Sequence, residues 1–253
     1  MAVEVGYDAV GLRVFPVMET DVDVMSDPAL QRAIQRRISQ TGLSVFDVEV
    51  VRISAHTDIA EILPALDFAG ELGARWFAVT STTPEEYAIE DESLLLQQLA
   101  ALTEVASRRN VGVMLEFMAY RGIASIQAAA RIVSAVDHPD LRITVDALHF
   151  FRSGGTAADL ANIPPEQLAC VQLCDAPATP SLALPQEARF GRSFPGEGDL
   201  PLGELLAALP EDLWACVEVP SGRRPQESAL SLARTGYELT QQLFARTHDS
   251  RVR

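Results

Sequence analysis

The chain is poor in positive charge, in cysteine and in long apolar runs, and each shortage argues against a class of protein. Its 253 residues carry 20 Lys and Arg against 35 Asp and Glu, a net charge of −15. So acidic a chain is unsuited to the phosphate backbone of a nucleic acid. No apolar run reaches the roughly 18 residues of a membrane-spanning helix, and the opening MAVEVGYDAV has no signal-peptide pattern. We therefore expect a cytoplasmic protein with neither a nucleic-acid nor a membrane partner.

Cysteine is present only three times, as Cys170, Cys174 and Cys216. All three lie in or beside apolar runs that predict inner strands. An odd count at such positions indicates reduced thiols in a core, not disulfides. Their apolar neighbours and the lack of a second Cys/His pair argue against a tetrahedral metal site.

What the chain does have is four acidic or amide side chains that each end a short apolar run. They are Glu116 in VGVMLEF, Asp146 in LRITVDALHF, Gln172 in LACVQLCDA and Glu218 in LWACVEVPS. Each run is typical of a buried parallel strand. Four strands that offer an oxygen ligand at the same end predict a divalent-metal site at the top of a β/α barrel.

Strand and helix patterns alternate along the whole chain, and 253 residues is a typical size for a β/α barrel. Strands are predicted near residues 8–14, 45–51, 75–80, 112–116, 141–146, 168–173 and 213–219. Helices are predicted near residues 27–41, 58–72, 86–109, 123–137, 155–161, 202–208 and 226–245. The pattern predicts an α/β protein of the (β/α)8 TIM-barrel type, folded as one domain over residues 1–253.

Seven predicted strands are one fewer than such a barrel needs. The opening VEVGYDAVGLRV resembles the tail of a helix followed by a strand, so the first β/α unit is lacking or irregular. Either Met1 to Val5 forms a short irregular strand, or the barrel is open between its first and last strands. Because an open edge leaves backbone groups unpaired, the second alternative favours a homodimer or a higher homo-oligomer.

The segment from about Gly112 to Ser221 resembles the xylose-isomerase-like family of sugar-phosphate isomerases and epimerases. The resembling motifs are LEF, VDALHF, VQLCDA, PGEGDLPL and VEVPS, in the family's order. The family includes D-tagatose 3-epimerases, inosose dehydratases, dehydroshikimate dehydratases and endonuclease IV nucleases. The resemblance implies a single xylose-isomerase-like barrel that binds a small hydroxyketone.

The resemblance also implies the metal ligands, which are Glu116, Asp146 and Glu218, with Glu116 and Glu218 acting in acid–base catalysis as well. Most members place a histidine where this chain has Gln172. Three carboxylates and an amide form an all-oxygen set, which suits Mn²⁺ or Mg²⁺ better than Co²⁺ or Zn²⁺. If Gln172 is not a ligand, we expect it to lie behind the ligands or to contact the substrate.

Further side chains are predicted to bind the substrate at the mouth of the barrel. His149 follows Asp146 closely, and His56 follows the second strand; each could instead be a histidine at a helix start. A long loop, LPQEARFGRSFPGEGDLPL, carries Arg189, Arg192 and Glu197. Its arginines could bind a carboxylate, phosphate or enolate oxygen. The alternative is a solvated loop whose charges pair with one another. Arg152 is predicted equally as a further site residue or as a surface residue.

The resemblance favours a metal-dependent isomerase or epimerase that acts on a small keto-sugar through an enediolate. One alternative is a lyase that dehydrates a cyclic hydroxyketone such as an inosose or dehydroshikimate. Another is a non-catalytic, incomplete barrel that acts as a binding subunit. A nuclease of the endonuclease IV type is disfavoured, because those enzymes use many histidines and this chain has 4.

Overall fold

A single parallel sheet of seven strands organises the chain in this computed structural model, which describes residues 1–17, 21–220 and 224–251. The strands are β1 (Ala9–Arg13), β2 (Ser44–Ile53), β3 (Trp76–Ser81), β4 (Gly112–Glu116), β5 (Leu141–Asp146), β6 (Leu168–Leu173) and β7 (Trp214–Val217). Each strand pairs with the next in chain order, and every pair is parallel. All the carboxyl ends therefore lie at one edge of the sheet. The predicted barrel type, one strand short, is confirmed.

Helices connect the strands and cover the outer face of the sheet. They are α1 (Ala2–Val5), α2 (Pro28–Thr41), α3 (Ile59–Glu71), α4 (Pro84–Ala88), α5 (Glu92–Ser107), α6 (Ile126–Val136), α7 (Ala147–Arg152), α8 (Ala157–Leu160), α9 (Leu184–Phe190), α10 (Leu202–Ala208) and α11 (Ala229–Arg251). The start of α2 shows why the boundaries follow the sequence. Asp27 accepts hydrogen bonds from the N–H groups of Ala29 and Leu30, and Pro28 occupies the first turn. Gly42 ends the helix at φ 66°, a left-handed conformation that glycine adopts without strain.

The core lies mainly between the helices and the central strands. Every residue of β3 and β6 is buried, and the helix side chains Leu99 and Leu102 are 0% exposed. Inside the curl of the sheet, a smaller cluster joins Trp76, Met114 and Cys170. The three cysteines are free. Burial of the strands on both faces explains their continuous apolar runs.

The sheet stays open between its first and last strands. Within the described residues β1 pairs only with β2 and β7 only with β6. A cavity of about 880 Å³ lies between these two edges, bounded also by α10 and α11. Trp214, at the start of β7, is 36% exposed. Of the two sequence alternatives the open barrel is therefore correct; Met1 to Val5 forms no strand, because α1 occupies Ala2–Val5.

Three further details differ from the sequence prediction. The helix expected over residues 86–109 is divided into α4 and α5, because Asp91 caps a new helix start through the N–H groups of Ser93 and Leu94. The expected long loop contains α9, which begins with a proline in its first turn. No helix within the described ranges is long and apolar enough to cross a membrane.

Candidate metal centre

Carboxylates from three strands meet at the carboxyl edge of the sheet. Glu116 and Asp146 are the last residues of β4 and β5, and Glu218 follows β7 directly. One oxygen from each of them lies within 4.8 Å of the others. Parallel pairing in sequence order brings these residues together, because each strand delivers its last side chain to the same edge.

Crowding of negative charge perturbs this cluster. Burial, together with the charges of Glu218 and Asp146, raises the pKa of Glu116 well above its ordinary value. Burial likewise raises the pKa of Glu218 to about 7, with the charges of Asp146 and Glu49 adding to the effect. A bound divalent cation would relieve the repulsion between these carboxylates. The donor set therefore fits a cation.

Asp146 is the most tightly held of the three. Its Oδ1 accepts a hydrogen bond from the N–H of His149 (2.9 Å) and so caps α7. Its Oδ2 accepts from Arg192 Nη1 (2.5 Å). Burial acts to raise the pKa of Asp146, but the charge and hydrogen bond of Arg192 together with the interactions with His149 outweigh it, and the pKa is lowered. Asp146 thus remains ionised in a fully buried position.

Gln172 offers a further oxygen on the strand next to Asp146. It pairs with Asp146 across β5 and β6 and is 6% exposed. Among the residues that the structure describes, none hydrogen-bonds to its buried Oε1. A buried amide oxygen without a partner carries an energetic cost, which coordination of a cation would remove. Three carboxylates and this amide form a hard, all-oxygen donor set, which suits Mg²⁺ or Mn²⁺.

His149 and Arg192 adjoin the carboxylates. His149 is 2% exposed, and its Nε2 lies 3.9 Å from Glu116 Oε1. Burial lowers the pKa of His149 to about 4, although the charge of Asp146 acts to raise it. Arg192 is 4% exposed, and its Nη1 also approaches Glu218 Oε2 at 3.4 Å. The structure therefore brings both sequence-predicted residues to the cluster.

The other predicted substrate residues lie in different surroundings. Glu197 pairs with Arg224 (2.5 Å) and accepts a hydrogen bond from the N–H of Phe194. His56 is exposed on the turn after β2, where its backbone N–H donates to Ser54 Oγ. Arg189 is half-buried on α9. Neither Glu197 nor His56 makes a described contact with the carboxylate cluster.

The sequence analysis missed two residues at the centre. Arg13 ends β1, and its Nη2 lies 3.4 Å from Glu49 Oε1 and 3.9 Å from Glu218 Oε1. The ring of Tyr120 packs edge-on against His149, with centroids 5.3 Å apart. Arg13 could have been found from its position, because it lies one residue before the end of a predicted strand, near where Glu116 and Asp146 lie on theirs. Tyr120 stands in a loop, where no periodic pattern identifies it.

Two further arginines, Arg52 and Arg189, carry charges that act on Arg121, the residue after Tyr120. Arg121 follows it directly, with Cζ 5.5 Å from the centroid of its ring. Burial lowers the pKa of Arg121, and the positive charges of Arg52 and Arg189 lower it further. Among the described residues, none hydrogen-bonds to the buried Nε of Arg121. We call Arg52, Arg121 and Arg189 the arginine group.

A family model described as "Xylose isomerase-like TIM barrel" matches residues 1–240 of the chain. This match covers nearly the whole length and decides the family. The chain belongs to the xylose isomerase-like TIM-barrel family. It is therefore related to enzymes whose fold places the site at the carboxyl ends of the strands.

Two relatives within known proteins are called 3-dehydroshikimate dehydratase. The protein from Pseudomonas putida is 30% identical over 159 residues, which are 62% of this chain and 24% of the relative. The protein from Pseudomonas aeruginosa is 30% identical over 144 residues, which are 56% of this chain and 22% of the relative. The matched segments thus span about a quarter of those relatives' length.

Solved structures show the same barrel. A xylose isomerase-like TIM barrel/4-hydroxyphenylpyruvate dioxygenase fusion protein superposes with a TM-score of 0.83 at 21% identity, over 98% of this chain and 41% of that one. The IolI protein, solved with a bound zinc atom, has a TM-score of 0.75 at 17% identity, over 97% and 90%. A D-psicose 3-epimerase from Clostridium cellulolyticum has a TM-score of 0.69 at 14% identity, over 96% and 90%. At these identities the likeness establishes the fold alone.

Proposed function

We propose that this protein is a metal-dependent lyase that dehydrates a cyclic hydroxyketone carrying a carboxylate, of the dehydroshikimate type. Glu116, Asp146, Gln172 and Glu218 would hold the divalent metal ion. The sequence analysis ranked this reaction behind isomerisation or epimerisation of a keto-sugar. We favour dehydration because of the positive charge of the arginine group.

The arginine group is the observation that carries the proposal. A neutral keto-sugar offers no negative charge to recognise, whereas a carboxylate is the natural partner of a guanidinium group. The chain is strongly acidic and has no lysine, so that all 20 of its cationic side chains are arginines. In such a chain, the lowering of the pKa of Arg121 by burial and by the positive charges of Arg52 and Arg189 indicates an uncommon concentration of positive charge next to Tyr120. The 30% identity to the two 3-dehydroshikimate dehydratases supports the same substrate class.

His149 is suited to act as the base. When bound, the metal ion would polarise the ketone and make the adjacent C–H more acidic. At neutral pH the ring of His149 is uncharged, since burial lowers its pKa to about 4, and it can accept that proton. The resulting imidazolium can then return the proton to the departing hydroxyl, which leaves as water. One histidine therefore serves both halves of a dehydration, while Arg192 and Tyr120 restrict its position.

The direct test is to incubate the purified protein with Mn²⁺ or Mg²⁺ and 3-dehydroshikimate. Loss of water from this ring gives an aromatic acid, which is followed by its ultraviolet absorbance. We expect turnover that requires added metal and disappears after chelation. His149→Gln should lower kcat by about 10²-fold or more, the usual contribution of a general base, while metal affinity stays within about threefold of the wild type. Wild-type protein that binds the metal but forms no aromatic product would reject the proposal.

Epimerisation of a keto-sugar is the second candidate, and the two glutamates favour it. Epimerases need an acid–base group on each side of the carbon, and the raised pKa values of Glu116 and Glu218 suit such exchange. The same preparation is therefore incubated with D-psicose and D-tagatose in D₂O. Deuterium in a recovered sugar supports this second reaction, and a catechol-type product from dehydroshikimate supports the first.

A further inference from the structure

A buried ion pair lies behind the candidate site and outside the cluster. Arg152, at the end of α7, meets Glu187 of α9 through two parallel hydrogen bonds, both 2.8 Å long. Their side chains are 7% and 2% exposed. Arg152 also donates to the backbone oxygens of Pro177 (2.7 Å) and Ala178 (3.2 Å). The arginine thus joins α7, the segment after β6 and α9 at one point.

The pair acts on the same short segment that carries Arg192. Ala188, the neighbour of Glu187, accepts a hydrogen bond from Arg192 Nε (2.9 Å). Arg192 in turn forms the ion pair with Asp146. Gly191 lies between Ala188 and Arg192 in the chain, and a Cβ at position 191 would stand 2.8 Å from Glu187 Cγ. The backbone therefore passes against the buried glutamate just before it reaches Arg192.

A second anchor holds the other side of Arg192. Ser193 and Asp175 exchange two backbone hydrogen bonds, each 2.8 Å long. The buried carboxylate of Asp175 accepts from the N–H groups of Gly196 (2.9 Å) and Leu200 (3.0 Å). Arg192 is thus fixed from both directions along the chain. The Arg152–Glu187 pair also connects this segment to α7, the helix that carries His149.

We propose that Arg152 and Glu187 are positioning residues, which hold Arg192 in register with His149 and Asp146. A buried pair with two parallel hydrogen bonds fixes both distance and orientation, which a single contact does not. Breaking it leaves an uncompensated charge between α7 and α9. The segment that carries Arg192 then separates from the cluster, although the metal ligands keep their own strands. The role of this alignment in turnover rests on the proposed function, whereas the alignment itself does not.

Cys174 provides a test that needs no substrate. Its Sγ is fully buried and lies 3.4 Å from Arg192 Nη1, so that displacement of Arg192 uncovers it. Cys170, inside the sheet, is also 0% exposed and reports opening of the whole fold. The metal-free protein is alkylated under native conditions, and fragmentation of the labelled peptides separates the two rates. We expect Glu187→Gln to raise the Cys174 to Cys170 rate ratio about tenfold or more, as local opening requires.

Two further variants make the labelling result specific. Arg152→Lys keeps the positive charge but cannot form the two parallel hydrogen bonds, and should give an intermediate Cys174 to Cys170 rate ratio. Glu92→Gln breaks another two-bond pair, with Arg131, which is exposed on α5 and α6; it should leave the ratio unchanged. Equal acceleration of both thiols in Glu187→Gln would show that the pair merely stabilises the fold. No acceleration of Cys174 would also overturn the proposal.

Activity then tests the consequence for turnover. We compare kcat/KM for dehydration of 3-dehydroshikimate in wild type, Glu187→Gln, Arg192→Lys and the double variant. If the pair acts through Arg192, the second substitution lowers kcat/KM by less than about twofold once Arg192 is replaced. If the losses in kcat/KM of the two single variants multiply in the double variant, the pair does not act through Arg192. An inactive wild type defeats the proposed function but leaves the labelling result decisive for the alignment.

Discussion

The closed side of the sheet and its open edge hold the candidate ligands very differently. Glu116 and Asp146 end strands that have a partner on each side, Gln172 is the last residue but one of such a strand, and the three are 6%, 0% and 6% exposed. Glu218 follows β7, which among the described strands is paired on one side, and its side chain is 27% exposed. The cavity of about 880 Å³ lies along the same edge. The candidate ligands therefore come from two kinds of strand, three from strands paired on both sides and one from beside an edge strand.

This contrast shows how an incomplete sheet can still present a site. A strand with two neighbours fixes its last side chain through two sets of hydrogen bonds, whereas an edge strand depends on one set. The central strands thus position most of the donors without help from a ligand. Glu218 and β7 gain the most order from a shared cation, because the cation would tie them to the closed side.

The largest effect is expected from Asp146→Asn on the closed side. The change removes the nearer of the two carboxylates that pair with buried Arg192, so the metal-free protein should lose about 3 kcal/mol of stability and the metal should no longer raise the melting temperature. Asp91→Asn is the matched control, because Asp91 also caps a helix but is exposed; it should cost under about 0.5 kcal/mol, since Asn caps nearly as well as Asp. Thermal and urea unfolding measure both. A similar loss of stability in Asp146→Asn and Asp91→Asn would show that the buried pairing of Asp146 contributes no more than an exposed helix cap.

Glu218→Gln on the open edge should uncouple metal binding from stability. We expect affinity for Mn²⁺ to fall by about 10²-fold or more, as expected when a ligand is lost, while metal-free stability changes by under about 1 kcal/mol. Calorimetric titration and melting with and without metal provide the two numbers. A loss of stability as large as that of Asp146→Asn would contradict the view that the edge is loosely held.

Gln172→His sharpens the assignment of donors within the closed side. An imidazole nitrogen should shift preference towards Zn²⁺ or Co²⁺ relative to Mg²⁺ by about tenfold, because these metals favour nitrogen more strongly. Competition titrations with the metal pairs measure the shift. Unchanged preference would place Gln172 outside the ligand set.

The smallest effect is expected from Asp47→Asn, near the open edge. Asp47 is 5% exposed on β2 beside Gly11, and burial and the charge of Glu49 raise its pKa well above the ordinary value. A raised pKa in the folded state favours the fold at low pH, and that stability is lost as the pH rises through the raised pKa. The variant should therefore melt at a higher temperature than wild type at about pH 8, with the difference disappearing near pH 4. An equal difference in melting temperature at both pH values would show that ionisation of Asp47 does not cause it.

Much of the centre could be predicted because strand ends are visible in the chain. Short apolar runs that stop at Glu116, Asp146, Gln172 and Glu218 imply parallel strands, and parallel strands must deliver their ends to one edge. The adjacent His149 follows from the same logic. Loop residues carry no such periodic signal. The positions of Glu197, His56 and Tyr120 relative to the carboxylates could therefore not be predicted from the sequence.

The sequence by itself determined the alternation of seven strands with helices and the four candidate oxygen donors, since these depend on local periodicity and on which side chain stands at the end of each run. Only the tertiary structure decided which charges meet. Arg152 and Glu187 are 35 residues apart, and Arg192 and Asp146 are 46 residues apart. Such pairs form because burial makes an unpaired charge costly, and that cost depends on packing that no local pattern records.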